Sequence, residues 1–347
     1  MIRVYKSGDH AHRTPLSYPA LAELFAPTIT LVDHPAQADI YVFGHILDVQ
    51  NAPETVVRDW RARQVPVVIL SEEPFWDTIW GKEPLTPLIY PETAFGPLPV
   101  VQINHQTSDL FQFDRIPYYL LTHPRFQDMY TTRFARNAAR TAAEWAAHFA
   151  QAANDTLFMF ERRPEAYHAV RWPAGDLEGL CSWRTELAEA AQWDGVQRLG
   201  HSWQGGKTRF QLEDWYGDKM AGLDGQARKI GALENTHQPH YVTEKLFDAF
   251  ANGALPLYYA SPGHRVHDFG LPADSWINLY ELSPTEAAEV VRDVTLDAER
   301  IAAFQAAQSR LHTLMGDAGI WAREKARLGR EVPRVLAAVL DSPPAAA

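Results

Sequence analysis

The stretch ALENTHQPHYVTEKLFDAFANGALPLYYAS, residues 232–261, decides the architecture. It opens on an apolar strand end, crosses a polar loop, enters an amphipathic helix and leaves on a second apolar strand. Thr243 suits an N-cap, which puts Glu244 and Lys245 in the first turn. Leu246, Phe247, Ala249 and Phe250 form one apolar stripe, and Asn252-Gly253 ends the helix. Strand, helix and strand in succession imply a parallel sheet.

The same alternation extends in both directions. Upstream, strands are expected near Ile2–Tyr5, Thr28–Val32, Ile40–Phe43, Val65–Leu70 and Val100–Asn104, with a helix over Pro53–Gln64. Five prolines between Phe75 and Pro99 break any long period and predict a long loop, which in compact domains is usually functional. A long helix is expected over Asp128–Ala153. Strands then resume near Thr156–Phe160, Val196–Leu199, Ile230–Leu233, Leu255–Tyr259 and Trp276–Leu279, with helices near Gly179–Gln192 and Thr243–Asn252. Two helical stretches, about Pro284–Met315 and Asp317–Leu340, close the chain, the second broken or kinked at Pro333.

At 347 residues the chain is long enough for two domains. The pattern restarts near residue 154, so the expected division is 1–153 and 154–340, with 341–347 a disordered tail. The fold class read from this is α/β, two Rossmann-like domains facing across a cleft. Fold alone does not name a reaction.

Composition excludes several classes. Lys and Arg number 32 against 43 Asp and Glu, a formal charge of −11 with no basic run, which argues against a nucleic-acid partner. Cys181 is the single cysteine, so no internal disulfide forms, and a buried apolar filler is its bland reading. The N-terminus MIRVYKSGDHAHR lacks the apolar region of a secretory signal, and no stretch reaches the ~18 apolar residues of a transmembrane segment. These features predict a cytoplasmic protein, with room for loose attachment to the inner membrane surface.

Lys245 is out of place electrostatically. A helix N-terminus carries partial positive charge, so a cation there is unfavourable by a few tenths to ~1 kcal/mol. An anion bound by the backbone N–H groups and the ammonium together removes the conflict, and phosphate is the natural candidate. A solvated lysine beside a compensating Glu244 is the plainer alternative.

The string N-x(5)-Y-V-T-E-K, followed by an apolar helix and A-L-P-L-Y-Y, resembles the donor-binding motif of family 10 glycosyltransferases, the α1,3/4-fucosyltransferases. The likeness is clearest over about 180–280, with a weaker echo at 66–120. It implies a GT-B fold, a GDP-fucose donor, inversion at the anomeric carbon and a glycan acceptor. The N-terminal domain would then bind acceptor and the C-terminal domain donor. It further implies that Glu244 meets the nucleotide ribose, that Lys245 meets the diphosphate, and that Asn235, Tyr241 and Thr243 line the same pocket. Leu233 and Tyr258-Tyr259 depart from the family's usual phenylalanine and tyrosine-tryptophan.

Two further segments match. In CSWRTELAEA, 181–190, Arg184 corresponds to the family's diphosphate-binding arginine. Its alternative is a surface ion pair with Glu186 or Glu189, Ala188 standing at the best-placed position one turn on. In VVILSEEPFWD, 67–77, Glu72 is in register with the family's base, with Glu73 the other candidate, and DRIPYYL at 114–120 resembles an Arg-x-Pro segment. No D-x-D string occurs. The pairs His264/His267 and His10/His12 lack completing ligands, so no metal site and no obligatory metal or other cofactor are expected. Trp76 and Trp80, two of eleven tryptophans, are placed to stack on a sugar ring. The rival readings are a different nucleotide-sugar donor, or a non-catalytic nucleotide- or carbohydrate-binding protein.

Overall fold

The structure, a computed structural model, describes residues 1–205, 208 and 211–342. The chain forms two compact units, Met1–Pro124 with the C-terminal segment from Gly319, and Arg125–Ala318. Both are α/β. The expected boundary at 153 therefore lies inside the second unit, and the last helix, Ala318–Asp341, packs with the first. A contact that sequence pattern could not supply explains this return: the buried Glu324 carboxylate accepts the backbone N–H groups of Asp114 and Arg115. Of the expected tail, 343–347 lies outside the described residues.

In the first unit, strands β1 (Ile2–Ser7), β2 (Ile29–Leu31), β3 (Ile40–Phe43), β4 (Val67–Leu70) and β5 (Val100–Ile103) pair in parallel in the order β2-β1-β3-β4-β5. A short antiparallel strand, Leu88–Ile89, adds to the edge beside β5. β3 and β4 are buried along their whole length, which is why both read as uninterrupted apolar runs rather than alternating ones. The helix Glu54–Arg63 covers this sheet with Val56 and Val57, both fully buried, each contributing about 1.5–3 kcal/mol.

The second unit repeats the plan. Strands β6 (Asn154–Met159), β7 (Val196–Leu199), β8 (Ala227–Gly231), β9 (Leu255–Tyr258) and β10 (Ile277–Asn278) are parallel in the order β7-β6-β8-β9-β10. The helix Glu244–Ala251 links β8 to β9 as the opening stretch requires.

Helix boundaries differ where capping outranks periodicity. The long helix expected over 128–153 is two, Arg125–Ala138 and Ala142–Gln151, because Thr141 and Glu144 form a reciprocal capping box that starts a new helix. Ser283 with Glu286 and Asp297 likewise start separate helices at Pro284–Asp293 and Ala298–Gly316. Ala318–Asp341, by contrast, continues through Pro333 as one helix. The proline-rich stretch 75–99 is not wholly loop either: it holds a π-helical turn at Asp77–Gly81 and a small hairpin of Glu92–Thr93 with Gly96–Pro97. Among the described residues no helix is long and apolar enough to cross a membrane.

Candidate functional site

In the second unit the chemistry gathers at the C-terminal ends of β8 and β9, where ligands bind in open parallel sheets. Thr243 occupies the N-cap position, with φ −110°, but its side chain does not cap the helix. Instead its N–H and hydroxyl both donate to the Glu234 carboxylate at 2.8 Å. Glu234 was missed from sequence, although it stands in the quoted stretch. The only signal was an acid directly after an apolar strand end. It is buried, and it also accepts the Lys245 ammonium at 2.8 Å.

Lys245 is therefore tethered rather than free. Burial opposes its charge, yet Glu234 and Glu244 outweigh this and hold the ammonium above its usual range. The two carboxylates then diverge. Burial pushes Glu234 up against the pull of Lys245. Burial would do the same to Glu244, but Lys245 and Lys219 hold it below the usual carboxylate range.

Arg184 differs in kind. It sits in the first turn of the helix Cys181–Ala190, is 5% exposed, and lies over the Phe160 ring at 4.8 Å. One guanidinium nitrogen donates to the Leu233 carbonyl at 3.2 Å, while its buried Nε has no partner among the described residues. Glu189, one of its two candidate partners, is taken by Arg162, and the structure shows no ion pair from Glu186 to Arg184. Arg184 is near enough to Lys245 for its charge to depress that ammonium's pKa. Two cations thus share one buried place, and one of them lacks a carboxylate.

The other expected residues surround this point. Asn235 follows Glu234, and its carbonyl accepts the Leu180 N–H at 2.9 Å and the Cys181 thiol, so the polar loop is pinned to the Arg184 helix. Cys181 is buried, as the bland reading has it. Tyr241 is buried in the same loop. At the end of β9 the Tyr258 hydroxyl is buried with no partner among the described residues, and its pKa is pushed well up by burial and by Glu234 and Glu244.

The first unit presents a second cluster, also at the C-terminal edge of its sheet. Glu72 follows β4 and is 3% exposed. Arg13 Nε donates to it at 2.6 Å, Tyr18 at 2.5 Å and Tyr118 at 2.6 Å, so both carboxylate oxygens are occupied. Tyr118 belongs to the quoted DRIPYYL segment, but Arg13 and Tyr18 lie more than fifty residues away and left no local signal. Arg13 also reaches Glu73 at 3.6 Å. Nearby Asp77 is pushed up to about 7, by burial first and then by Glu73, against a hydrogen bond from Ser71. Among the described residues no group of three His, Cys, Asp or Glu side chains is placed to hold a metal ion.

Comparison with known proteins locates the resemblance. Residues 226–315 match the family model described as glycosyltransferase family 10 (fucosyltransferase), C-terminal. The human 4-galactosyl-N-acetylglucosaminide 3-alpha-L-fucosyltransferase 9 is 34% identical over 64 residues, 18% of this chain and 18% of that protein. The mouse enzyme of the same name gives the same figures. The chain thus spans about a fifth of the length of these relatives. A crystal structure of an alpha1,3-fucosyltransferase with GDP-fucose aligns with TM-score 0.44 at 13% identity, covering 91% of both chains.

Proposed function

We propose that the protein moves fucose from GDP-fucose to a hydroxyl of a glycan, with inversion, a reading that starts from the match of residues 226–315 to the C-terminal model of glycosyltransferase family 10. The observation that carries the proposal is Arg184, a buried guanidinium beside Lys245 with no carboxylate against it among the described residues. Burying a charge without a counter-charge is expensive, and a diphosphate supplies that counter-charge with geometry suited to the guanidinium fork.

In this reading the second unit holds the donor. Arg184, Lys245 and the start of the Glu244–Ala251 helix offset the negative charge that grows on the departing diphosphate. Asn235, Tyr241, Thr243 and Glu244 line the nucleotide side. The acceptor oxygen attacks the anomeric carbon, the bond to the diphosphate breaks with its electron pair leaving on GDP, and the hydroxyl proton passes to Glu72. Two of the three donors on Glu72, Arg13 and Tyr18, are only partly buried, and the acceptor hydroxyl takes the place of the neutral one, Tyr18, which leaves the ion pair intact. Fixed protein charge does the work a metal does elsewhere, and transfer is expected to continue in EDTA.

The test is a panel of nucleotide sugars scored by thermal shift and by transfer to a 4-galactosyl-N-acetylglucosaminide, the acceptor class in the mammalian relatives' name. GDP-fucose should raise the melting temperature and yield product. Preference for another nucleotide sugar replaces the donor. Binding of GDP-fucose without transfer, to this or other glycans, marks a non-catalytic binder instead.

A further inference from the structure

Three adjacent strands of the first unit, β1, β3 and β4, end side by side, and each is followed by chemistry-bearing residues. Glu72 follows β4. His45 follows β3, and His10 lies just beyond β1. The two histidines are not used by the reaction described above.

His10 is held on a buried acid. Its backbone N–H donates to Asp48 at 3.0 Å and its Nδ1 lies 2.9 Å from the same carboxylate, which is 5% exposed at the side chain. Two glycines make this approach possible. Gly8 has φ +96°, and a Cβ there would fall 2.3 Å from Asp48; a Cβ on Gly44 would fall 2.4 Å from the His10 carbonyl. Neither position tolerates a side chain, so the loop is built to seat His10.

His45 is fixed from the same helix, Ile46–Gln50. Its Nδ1 accepts the Leu47 N–H at 2.9 Å, which places its own hydrogen on Nε2. Burial lowers its pKa to about 4, with the His10 charge adding to the shift, so the ring is neutral at physiological pH. His10 Nδ1 is engaged by the Asp48 carboxylate, which leaves its Nε2 as the ring nitrogen available to a ligand. The rings lie 4.5 Å apart, tilted by 31°, with both Nδ1 atoms engaged by the helix Ile46–Gln50. Two imidazole Nε2 atoms are thus left for a ligand in one place.

Aromatic faces border the pair. Trp76 meets both rings at 5.1 and 4.9 Å, and Trp80 meets His45 at 5.4 Å while remaining 36% exposed. Arg13 lies over Trp76 at 5.3 Å and continues to Glu72, so the cluster is contiguous with the proposed base. An apolar wall beside two imidazole nitrogens suits a ring that has an apolar face and adjacent hydroxyls, since a hydroxyl both donates and accepts.

We propose that His10, His45, Trp76 and Trp80 form a subsite for a pyranose of the acceptor, binding two neighbouring hydroxyls through the two Nε2 atoms and stacking the ring on Trp80. The ligand class rests on the glycosyl-transfer reading; the site itself rests on geometry within the first unit. The experiment is a fluorescence titration of the full chain with 4-galactosyl-N-acetylglucosamine, alongside a separate titration with GDP. Wild type should show saturable quenching. H10A and H45A should each weaken the sugar about tenfold, and W80A should remove most of the quenching, all with GDP affinity close to wild type. W80A supplies a test at a partly exposed position should H10A fold poorly. Wild-type sugar affinity in folded H10A, H45A and W80A, or no quenching of wild type, overturns the subsite. Failure of GDP to bind wild type would instead overturn the glycosyl-transfer reading, and the two titrations are read independently.

Discussion

Arg13 and Arg184 are the same residue type at the same edge of two similar sheets, yet their surroundings are opposite. Arg13 meets Glu72 at 2.6 Å and Glu73 at 3.6 Å, and burial's penalty on its charge is outweighed by those carboxylates. Arg184 has an aromatic ring, one carbonyl and an Nε without a partner among the described residues. Arg13 has its counter-charge within the fold; among the described residues Arg184 does not. A buried cation that the fold leaves uncompensated is a stronger pointer to an anionic ligand than any number of well-paired charges.

That contrast can be broken from either side. The largest expected effect is on turnover: E72Q should lower transfer by about 10²–10⁴-fold while GDP affinity holds. Full activity in E72Q with loss in E73Q would move the base one residue along. Next in size, R13M strands the buried Glu72 carboxylate and should reduce stability by about 3 kcal/mol in denaturant titration. A neutral R13M would mean that the two tyrosines alone satisfy Glu72.

R184M should do the converse. Stability should change by no more than about 1 kcal/mol, because the Leu233 carbonyl bond and the Phe160 ring contact that are lost are offset by relief of a buried charge, while GDP binding weakens by about 1.5–3 kcal/mol. Calorimetry showing unchanged GDP affinity in folded R184M would remove the main support for the proposed function.

The smallest effect concerns Asp77. Its carboxyl is pushed up to about 7 in the folded protein, mainly by burial. Between about pH 4 and pH 7 the folded state holds a proton that the unfolded state has released, so this group makes stability fall as pH rises through that window. D77N should remove the penalty, with a gain of about 1–2 kcal/mol at pH 8 that shrinks toward pH 4. His45 works in the opposite sense. With its folded pKa near 4, unfolding takes up a proton below about 6.5, and stability falls as pH drops through that value. Melting curves of D77N and H45Q from pH 5 to 8 should separate the two slopes.

The sequence by itself determined the elements that periodicity and composition control. The ten main strands, the helix after Thr243 and the grouping of Asn235, Tyr241, Glu244 and Lys245 in one loop-helix unit were legible, because neighbours in the chain suffice to encode them. Thr243 shows where local reading ends. Its position is the N-cap, but a buried acid nine residues earlier captures its hydroxyl, and only packing reveals that competitor. Lys245 meets Glu234 as well as the neighbouring Glu244, and local reading offered only the second. What tertiary structure alone decided is which charges meet. Arg13 reaches Glu72 across 59 residues and His10 reaches Asp48 across 38, while Arg184 finds no carboxylate among the described residues. Desolvation and pairing act through distances in space, and the order of residues along a chain does not contain them until the sheets have formed.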